Sequence, residues 1–383
     1  MELKIRKELL ENDLISYASD HIELPKNGID CNEGCNPYGF PPELLEAAKN
    51  FDMNRLGPYP HSTAVFDGLT EYWKGQFYLE PENLLLTDGS ISAIYTVTNI
   101  FNVKGAVVIG VSPQFTDFAE NVKLSGMEYR PVRLRREDNY RINPEDIIDA
   151  IDDSVSLVYI DNPNNPTGQT VDSYAIEKIL QKAASAGAAV VVDEAYGDFM
   201  PNENSAARYL EKYPNMIMMR TLSKAFGLAG LRVGYIVAAK PVIAAMRKVG
   251  NPYRVGEFAR EMAGEALRHS YGIWNNIVDF ARQKREIRAS IGNHLHMAAT
   301  CDTVSLCLLY HDDPDVDLKK EFFDRGVLCV SGADFESLDK SFARIRMPRI
   351  DEFKVLFDAV KDIDAGTDEV VKRRIAAGDN PAE

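Results

Sequence analysis

Short runs of consecutive apolar residues alternate with longer amphipathic stretches through the middle of the 383-residue chain. Nearly continuous apolar runs of this length are typical of strands that are covered on both faces of a sheet. The six runs are residues 83–87, 106–110, 156–160, 188–193, 216–220 and 233–238. Between them, stretches such as residues 173–184 space their apolar positions three and four apart, which predicts helices. The alternation predicts an α/β fold with a mostly parallel sheet.

The pattern changes in the last third of the chain. Helical, charged sequence over residues 256–297 gives way to mixed short strands and helices over 302–346, and the end of the chain is polar. We therefore predict an N-terminal segment (1–45) that packs on the smaller domain and the active site, and a large ligand-binding domain (46–255). A smaller α+β domain (256–365) and a loose tail (366–383) complete the chain.

Polar turns follow directly after four of the predicted strands, at residues 87–90, 161–168, 193 and 221–224. Ligands of parallel sheets bind at the carboxyl ends of the strands. The pattern thus predicts that these four turns meet at one site.

The composition of the chain excludes several kinds of binding partner and location. The net charge of −15 disfavours a nucleic acid as the binding partner. The sequence contains no run of 18 uncharged apolar residues, so we predict no membrane span. The charged, amphipathic start does not resemble a secretory signal, so we expect a cytoplasmic protein. The five cysteines are odd in number and scattered, which favours free thiols. Cys31 and Cys35 have no further ligands at zinc spacing, and we predict no metal site.

Lys224 lies among small residues that include Ser223, Ala225 and Gly227. Most lysines are solvated surface residues. In a tight apolar turn, however, a lysine amine loses solvation, is deprotonated more easily and becomes a nucleophile for an aldehyde. Arg232 follows eight positions later, a spacing that suits an arginine and the Thr221 hydroxyl binding one phosphate.

Asp193 ends a predicted buried strand, and Tyr196 follows three residues later. Asp193 could simply be a helix N-cap and Tyr196 an ordinary core residue. Asn165, in the turn after another predicted strand, could simply be a turn former. A buried carboxylate generally needs a cationic partner, however, and a protonated pyridine nitrogen would supply one. Together with Lys224, these residue types predict a pyridoxal phosphate (PLP) site, in which the lysine forms a Schiff base with the aldehyde. Tyr196 and Asn165 would donate to the ring phenolate oxygen.

The motifs Asp-Gly-Ser90, Asn164-Asn165-Pro-Thr-Gly168, Asp193-Glu-Ala-Tyr196 and Thr221-Leu-Ser-Lys224 occur in an order that resembles the class I/II (fold type I) PLP-dependent aminotransferases. The resemblance is strongest to the branch of histidinol-phosphate aminotransferase and threonine-phosphate decarboxylase. It implies a seven-stranded, mostly parallel sheet, a homodimer, and transfer of an amino group between an amino acid or related amine and a 2-oxo acid. The implied cofactor-binding residues are Gly89, Ser90, Ile91, Phe115, Asn165, Asp193, Tyr196, Thr221, Ser223, Lys224, Arg232 and, from the other subunit, Tyr59.

The same resemblance implies that Arg344 binds the substrate carboxylate, with Arg346 as a rival two positions along the strand. Asn36 lies in a stretch that resembles the family's N-terminal segment, which covers the site, and is expected to bind substrate. Val330 falls where the branch usually has an arginine, which puts a phosphorylated substrate in doubt. Tyr253 or Arg254 would recognise the distal end of the substrate, unless Arg254 lies at the surface or pairs with Glu257.

Two other functions stay open. A PLP-dependent decarboxylase or another lyase could use the same scaffold, because the bond that breaks depends on an orientation that the sequence does not show. A PLP-binding regulatory domain fused to a winged helix is disfavoured, since no basic recognition helix precedes the catalytic motifs.

Overall fold

A computed structural model describes residues 4–11 and 23–366 of the chain. The α-helices in these ranges are α1 (Lys7–Glu11), α2 (Glu43–Lys49), α3 (Ala64–Tyr72), α4 (Ser90–Phe101), α5 (Thr116–Leu124), α6 (Pro144–Ala150), α7 (Ser173–Ser185), α8 (Lys240–Val249), α9 (Glu257–Arg268), α10 (Ile273–Ser290), α11 (Leu318–Asp324) and α12 (Phe353–Ala365). The strands are β1 (Ile29–Asp30), β2 (Leu84–Thr87), β3 (Val107–Ser112), β4 (Glu128–Arg133), β5 (Val155–Asp161), β6 (Ala189–Asp193), β7 (Met216–Thr221), β8 (Gly234–Ala238), β9 (Leu295–Met297), β10 (Leu306–His311), β11 (Val327–Leu328), β12 (Val330–Ser331) and β13 (Phe342–Arg346).

Seven strands form the main sheet, in the order β2-β8-β7-β6-β5-β3-β4. The pairs β3–β4, β3–β5, β5–β6 and β6–β7 are parallel, whereas β8 runs antiparallel to both of its neighbours. Strands occur at all six predicted runs, with ends shifted by one or two residues. The sequence pattern therefore located the sheet, and its mostly parallel character is confirmed.

Strand β4 was not among the predicted runs. Its sequence, Glu-Tyr-Arg-Pro-Val-Arg, is charged and contains Pro131, and its residues are partly or fully exposed. A proline and charges are tolerated here because β4 is the edge of the sheet and has no partner on its outer side. Edge position, rather than burial, explains why apolar continuity did not reveal this strand.

The inner strands are buried on both faces. All residues of β3, β6, β7 and β8 are buried, and their side chains divide between two apolar clusters on opposite sides of the sheet. Since apolar groups cover both faces, polar side chains are confined to the strand ends. This arrangement places the chemistry of the molecule at one edge of the sheet.

A second, antiparallel sheet has the order β12-β13-β10-β9. The N-terminal segment is tied to this part of the molecule by the short parallel pair β1–β11, in which Ile29 faces Val327 and Asp30 faces Leu328. The segment that follows β1 is therefore held next to β13, whose arginines are discussed below.

Other predicted features concern what the chain contains. All five cysteines are free thiols. Within the described ranges, no helix is long and apolar enough to span a bilayer, and no group of His, Cys, Asp or Glu side chains is placed to hold a metal ion. The predicted loose tail, apart from residue 366, lies outside the described residues.

Candidate active site

A cavity of about 370 Å³ lies at the carboxyl ends of β5, β6 and β7. The residues that line it come from four turns after strands and from the first turns of α4 and α5. They are Ser90, Ile91, Phe115, Asp117, Asp161, Pro163, Asn165, Asp193, Ala195, Tyr196, Ser223, Lys224, Ala229 and Arg232. Nine of the predicted site residues are thus in one wall, as expected for ligands of a parallel sheet.

Lys224 follows β7 in a tight turn and is half-buried. Its Nζ lies 5.6 Å from the centre of the Tyr196 ring. The next two residues, Ala225 and Phe226, are buried and hold the turn against the core. The backbone carbonyl of Lys224 accepts a hydrogen bond from the Asn36 amide at 2.8 Å. The amine therefore points into the cavity from a turn whose backbone is fixed on both sides.

Asp193 is the last residue of β6 and is 3% exposed. The Tyr159 hydroxyl donates to its Oδ2 at 2.7 Å, and the Ala195 amide donates to its Oδ1 at 2.9 Å. Burial raises the pKa of Asp193 to about 6, while the bond from Tyr159 opposes the rise. A carboxylate in this position is poorly compensated by the protein alone, and a cation bound in the cavity would stabilise it.

Asp161 ends β5 and lies directly opposite Asp193 in the parallel register. The backbone amides of Phe115 and Asn165 donate to its Oδ2 at 3.2 and 2.9 Å, and Asn164 Nδ2 donates to Oδ1 at 2.8 Å. Burial raises the pKa of Asp161 to about 7. Asp161 therefore positions two predicted site residues, Phe115 and Asn165, from below the cavity.

The Tyr196 hydroxyl is buried and has no hydrogen-bond partner in the described part of the chain. Burial raises the pKa of this phenol well above its ordinary value. Because an unpaired buried hydroxyl costs free energy, it indicates a missing acceptor in the cavity. The phenolic oxygen of PLP is an acceptor of this kind, and the acid Asp193 lies on the same wall. The residues present therefore fit the cofactor.

Asn165 connects the cavity to Arg344. Arg344 Nη1 donates to Asn165 Oδ1 at 3.0 Å, and Nη2 donates to the Asn32 carbonyl at 2.5 Å. Arg344 is 1% exposed and lies on β13, where Val330 of β12 is its cross-strand neighbour. The position expected to carry a second arginine thus holds a buried apolar side chain directly beside Arg344.

Arg346 has a different environment from Arg344. Its guanidinium donates to the backbone carbonyls of Glu33 at 3.0 Å and Met347 at 3.2 Å, and also to that of Asp30. These bonds hold the N-terminal segment on β13. Arg346 therefore contacts the backbone of the N-terminal segment, whereas Arg344 contacts the cavity residue Asn165.

A group of donors at one end of the cavity is suited to a phosphate. Ser90 and Ile91 form the first turn of α4, whose N-terminus favours anions. The Thr221 and Ser223 hydroxyls lie 2.9 Å apart, and Arg232 Nη1 is 3.5 Å from the Ser223 hydroxyl. Gly89 has φ +87°, and a Cβ there would lie 2.2 Å from Arg232 Nη2. Glycine is therefore required for the guanidinium to approach the start of α4.

The N-terminal segment covers the cavity residues from outside. The Asn36 side chain donates to the Ala225 carbonyl at 2.9 Å, and its Oδ1 accepts from the Tyr38 amide at 3.1 Å. A Cβ on Gly34 would lie 1.8 Å from the Tyr196 hydroxyl oxygen. Asn36, predicted to bind substrate, thus fastens the segment to the Lys224 turn, while Gly34 approaches the cavity more closely.

Three predicted residues lie away from the cavity wall. The rings of Tyr59 and Tyr253 stack with centroids 4.5 Å apart, and both are exposed. Arg254 donates to the Asn251 carbonyl at 3.1 Å and to the Thr96 hydroxyl at 3.2 Å. Its alternative pairing with Glu257 is not formed, because that carboxylate is bound to Arg55 instead.

Sequence reasoning missed a buried ionic cluster behind the cavity. Arg220, fully buried, pairs with Glu194 at 2.8 Å and with Asp198 at 2.7 Å, and its guanidinium lies 4.4 Å from the Trp73 ring. Arg220 precedes Thr221, and Glu194 follows Asp193. The pair therefore joins the strand end that carries the acid to the one that leads to Lys224. A charged residue at the end of an apolar strand run was the available signal.

Asp117 and Asp161 were also missed as site residues. Asp161 directly follows a predicted strand, so its position was a usable signal. Asp117 gave none, since an acid in the first turn of a helix is common for reasons of helix stability alone. Only the packing of α5 against the sheet brings its side chain to the cavity.

Comparison with known proteins agrees with this geometry. The family model described as aminotransferase class I and II matches residues 26–356. The histidinol-phosphate aminotransferase of Thermoanaerobacter pseudethanolicus is 34% identical over 260 residues, 67% of this chain and 70% of that protein. Two crystal structures confirm the predicted fold. The histidinol-phosphate aminotransferase of Clostridium acetobutylicum has a TM-score of 0.77 at 22% identity, covering 88% of this chain and 99% of its own. The L-threonine-O-3-phosphate decarboxylase of Porphyromonas gingivalis has a TM-score of 0.74 at 20% identity, covering 88% and 99%.

Proposed function

Because this chain belongs to the class I and II aminotransferase family and is a PLP-dependent aminotransferase, we propose that Lys224, Asp193 and Tyr196 are its catalytic residues. The observation that carries the proposal is the convergence of the Lys224 amine, the buried Asp193 carboxylate and the unpartnered Tyr196 hydroxyl on one cavity.

The bound cofactor supplies an aldehyde that links to an amine and a ring that accepts electrons from the α-carbon of the substrate. Asp193 would keep the ring nitrogen protonated, Tyr196 and Asn165 would donate hydrogen bonds to the phenolic oxygen, and Phe115 would contact the ring. The phosphate would be held by Gly89, Ser90, Ile91, Thr221, Ser223 and Arg232.

Lys224 has two tasks in this proposal. Its Nζ would hold the cofactor, and the same amine, once free, would accept the proton of the substrate α-carbon. Arg344 binds the substrate carboxylate through paired hydrogen bonds and so sets the orientation of the α-carbon. The Asn165 bond at 3.0 Å holds that guanidinium in place.

The anion that Arg344 binds is proposed to be a carboxylate rather than a phosphate. Val330 is 1% exposed and faces Arg344 across the strands, so no second guanidinium assists it there. A dianionic phosphate is best held by several cationic donors, whereas one arginine is sufficient for a carboxylate. The 34% identity to a histidinol-phosphate aminotransferase favours histidinol phosphate as the second candidate substrate.

The active enzyme is proposed to be a cytoplasmic homodimer in which Tyr59 reaches the cofactor phosphate of the other subunit. The exposed stack of Tyr59 on Tyr253 supports a dimer, since large aromatic rings are more typical of protein interfaces than of the rest of the surface. Tyr253 and Arg254 would then lie near the distal end of the substrate in the other subunit.

Three experiments test the proposal. The holoenzyme is reduced with borohydride and its peptides are mapped, with Lys224→Ala as control; we expect the pyridoxyl label on Lys224, and a label on another lysine would contradict the assignment. Absorbance change on adding single amino acids or histidinol phosphate then identifies the donor.

Val330→Arg should raise kcat/KM for histidinol phosphate relative to amino acids about tenfold. Release of carbon dioxide would instead indicate the lyase.

A further inference from the structure

Asp117 is a cavity residue that the proposed cofactor binding does not use. It lies in the first turn of α5, two residues after Phe115, and is half-buried. Its carboxylate is part of the cavity wall together with those of Asp161 and Asp193.

The three wall carboxylates differ in their partners. Asp161 accepts three hydrogen bonds and Asp193 accepts two. In the part of the chain that the structure describes, the Asp117 carboxylate forms no ion pair and no hydrogen bond with another residue. Burial raises its pKa, the hydrogen bond from its own backbone amide opposes the rise, the Glu120 charge raises the pKa further and Lys224 lowers it. Asp117 is therefore a wall carboxylate that forms no ion pair with another of the described residues.

In the proposed function the Lys224 amine holds the cofactor, so it is no longer a free ammonium group beside Asp117. Arg344, the proposed anion-binding arginine, is bonded to Asn165. Asp117 is then a wall carboxylate that forms no ion pair with another of the described residues. Such a group favours a ligand that brings a positive charge and disfavours one that brings a second negative charge.

We propose that Asp117 is a specificity-determining residue that selects amine donors whose chain beyond the α-carbon carries a positively charged group, such as an ammonium. This inference rests on the proposed function, and it names the substrate class of that same site. Donors with a second carboxylate are disfavoured by repulsion from Asp117.

The test uses the holoenzyme and the half-reaction with a single donor, followed by the absorbance of the cofactor. L-lysine is compared with L-norleucine, which lacks only the ammonium, and L-glutamate with the neutral L-glutamine. Wild-type enzyme should prefer lysine over norleucine. Asp117→Asn should lower that preference about 10- to 100-fold, mainly through donor binding, and should raise the ratio of glutamate to glutamine.

Asp146→Asn is the matched control, because Asp146 is an exposed acid in the first turn of α6 and lies outside the cavity. It should change neither ratio. A wild-type enzyme that reacts with norleucine as well as with lysine would overturn the inference, and so would an equal loss for all donors in Asp117→Asn. Failure of the proposed function is distinguishable, because no donor would then change the cofactor spectrum of wild-type enzyme.

Discussion

Replacing Asp161 by asparagine should change how the stability of the apoprotein depends on pH. Burial raises the pKa of Asp161 from 3.8 to about 7, so the folded state favours the neutral acid. The corresponding stabilisation is complete below about pH 4, where both states are protonated, and is lost as the pH rises through about 7. Asparagine does not ionise and removes this dependence.

The magnitude follows from the two pKa values. Ionisation of Asp161 in the unfolded chain alone already lowers the free energy of unfolding at about pH 5, and the loss is larger at about pH 8. The difference between these two pH values is roughly 2 to 3 kcal/mol. Asp193 has a pKa raised to about 6 and acts in the same direction, but it is present in both proteins.

The hydrogen bonds of residue 161 determine how much the free energy of unfolding differs between wild type and Asp161→Asn at a given pH. The carbonyl oxygen of the asparagine can accept from the backbone amides of Phe115 and Asn165, but its NH2 group then faces the Asn164 Nδ2 donor. Loss of this one buried hydrogen bond costs about 1 to 3 kcal/mol. Asp161→Asn should therefore be less stable than wild type at pH 5, with a gap that narrows by roughly 2 to 3 kcal/mol towards pH 8.

Urea unfolding of the apoproteins, followed by tryptophan fluorescence at several pH values, measures this gap. The exposed Asp153→Asn serves as control and should run parallel to wild type. If Asp161→Asn also ran parallel to wild type from pH 5 to 8, Asp161 would not titrate in that range and the reasoning from burial would be wrong.

Two further changes test how the N-terminal segment is held. Gly34→Ala places a methyl group 1.8 Å from the Tyr196 hydroxyl oxygen and should lower kcat/KM about 10- to 100-fold. The control Gly256→Ala, whose methyl group meets no atom within 4 Å, should leave kcat/KM unchanged. Equal activities of the two variants would refute the close approach of Gly34 to Tyr196. Arg346→Met leaves buried carbonyls unpaired and should lower the free energy of unfolding by roughly 3 kcal/mol or more. The same change at the exposed Arg349 should have little effect on the free energy of unfolding. An Arg346→Met variant as stable as wild type would refute the anchoring role of Arg346.

Much of the fold was readable from apolar continuity. The six predicted runs became inner strands or the edge β2, because strands that are covered on both faces must be apolar along their length. Strand β4 was not predicted, because this edge strand is partly or fully exposed and carries charged residues and a proline. The predicted domain boundaries at residues 45, 255 and 365 stay predictions.

The turns after the strands gave the site for a similar reason. In a parallel sheet all carboxyl ends meet at one edge, so the polar turns at Asn165, Asp193 and Lys224 had to converge. The sequence could not show what each side chain contacts. Arg344 and Arg346 are the same residue type on the same face of β13, yet Arg344 contacts the cavity residue Asn165, whereas Arg346 donates to backbone carbonyls such as that of Glu33.

The sequence by itself determined the order of strands and helices, the residues at the strand ends and the PLP-dependent class of chemistry, because these follow from local pattern and spacing. Only the tertiary structure decided the environments of Asp117, Asp161 and Val330. Their burial, their partners and their distance from the cavity depend on residues that are far away in the chain. Specificity depends on these environments, since the strength of a charge in a cavity is set by what surrounds it.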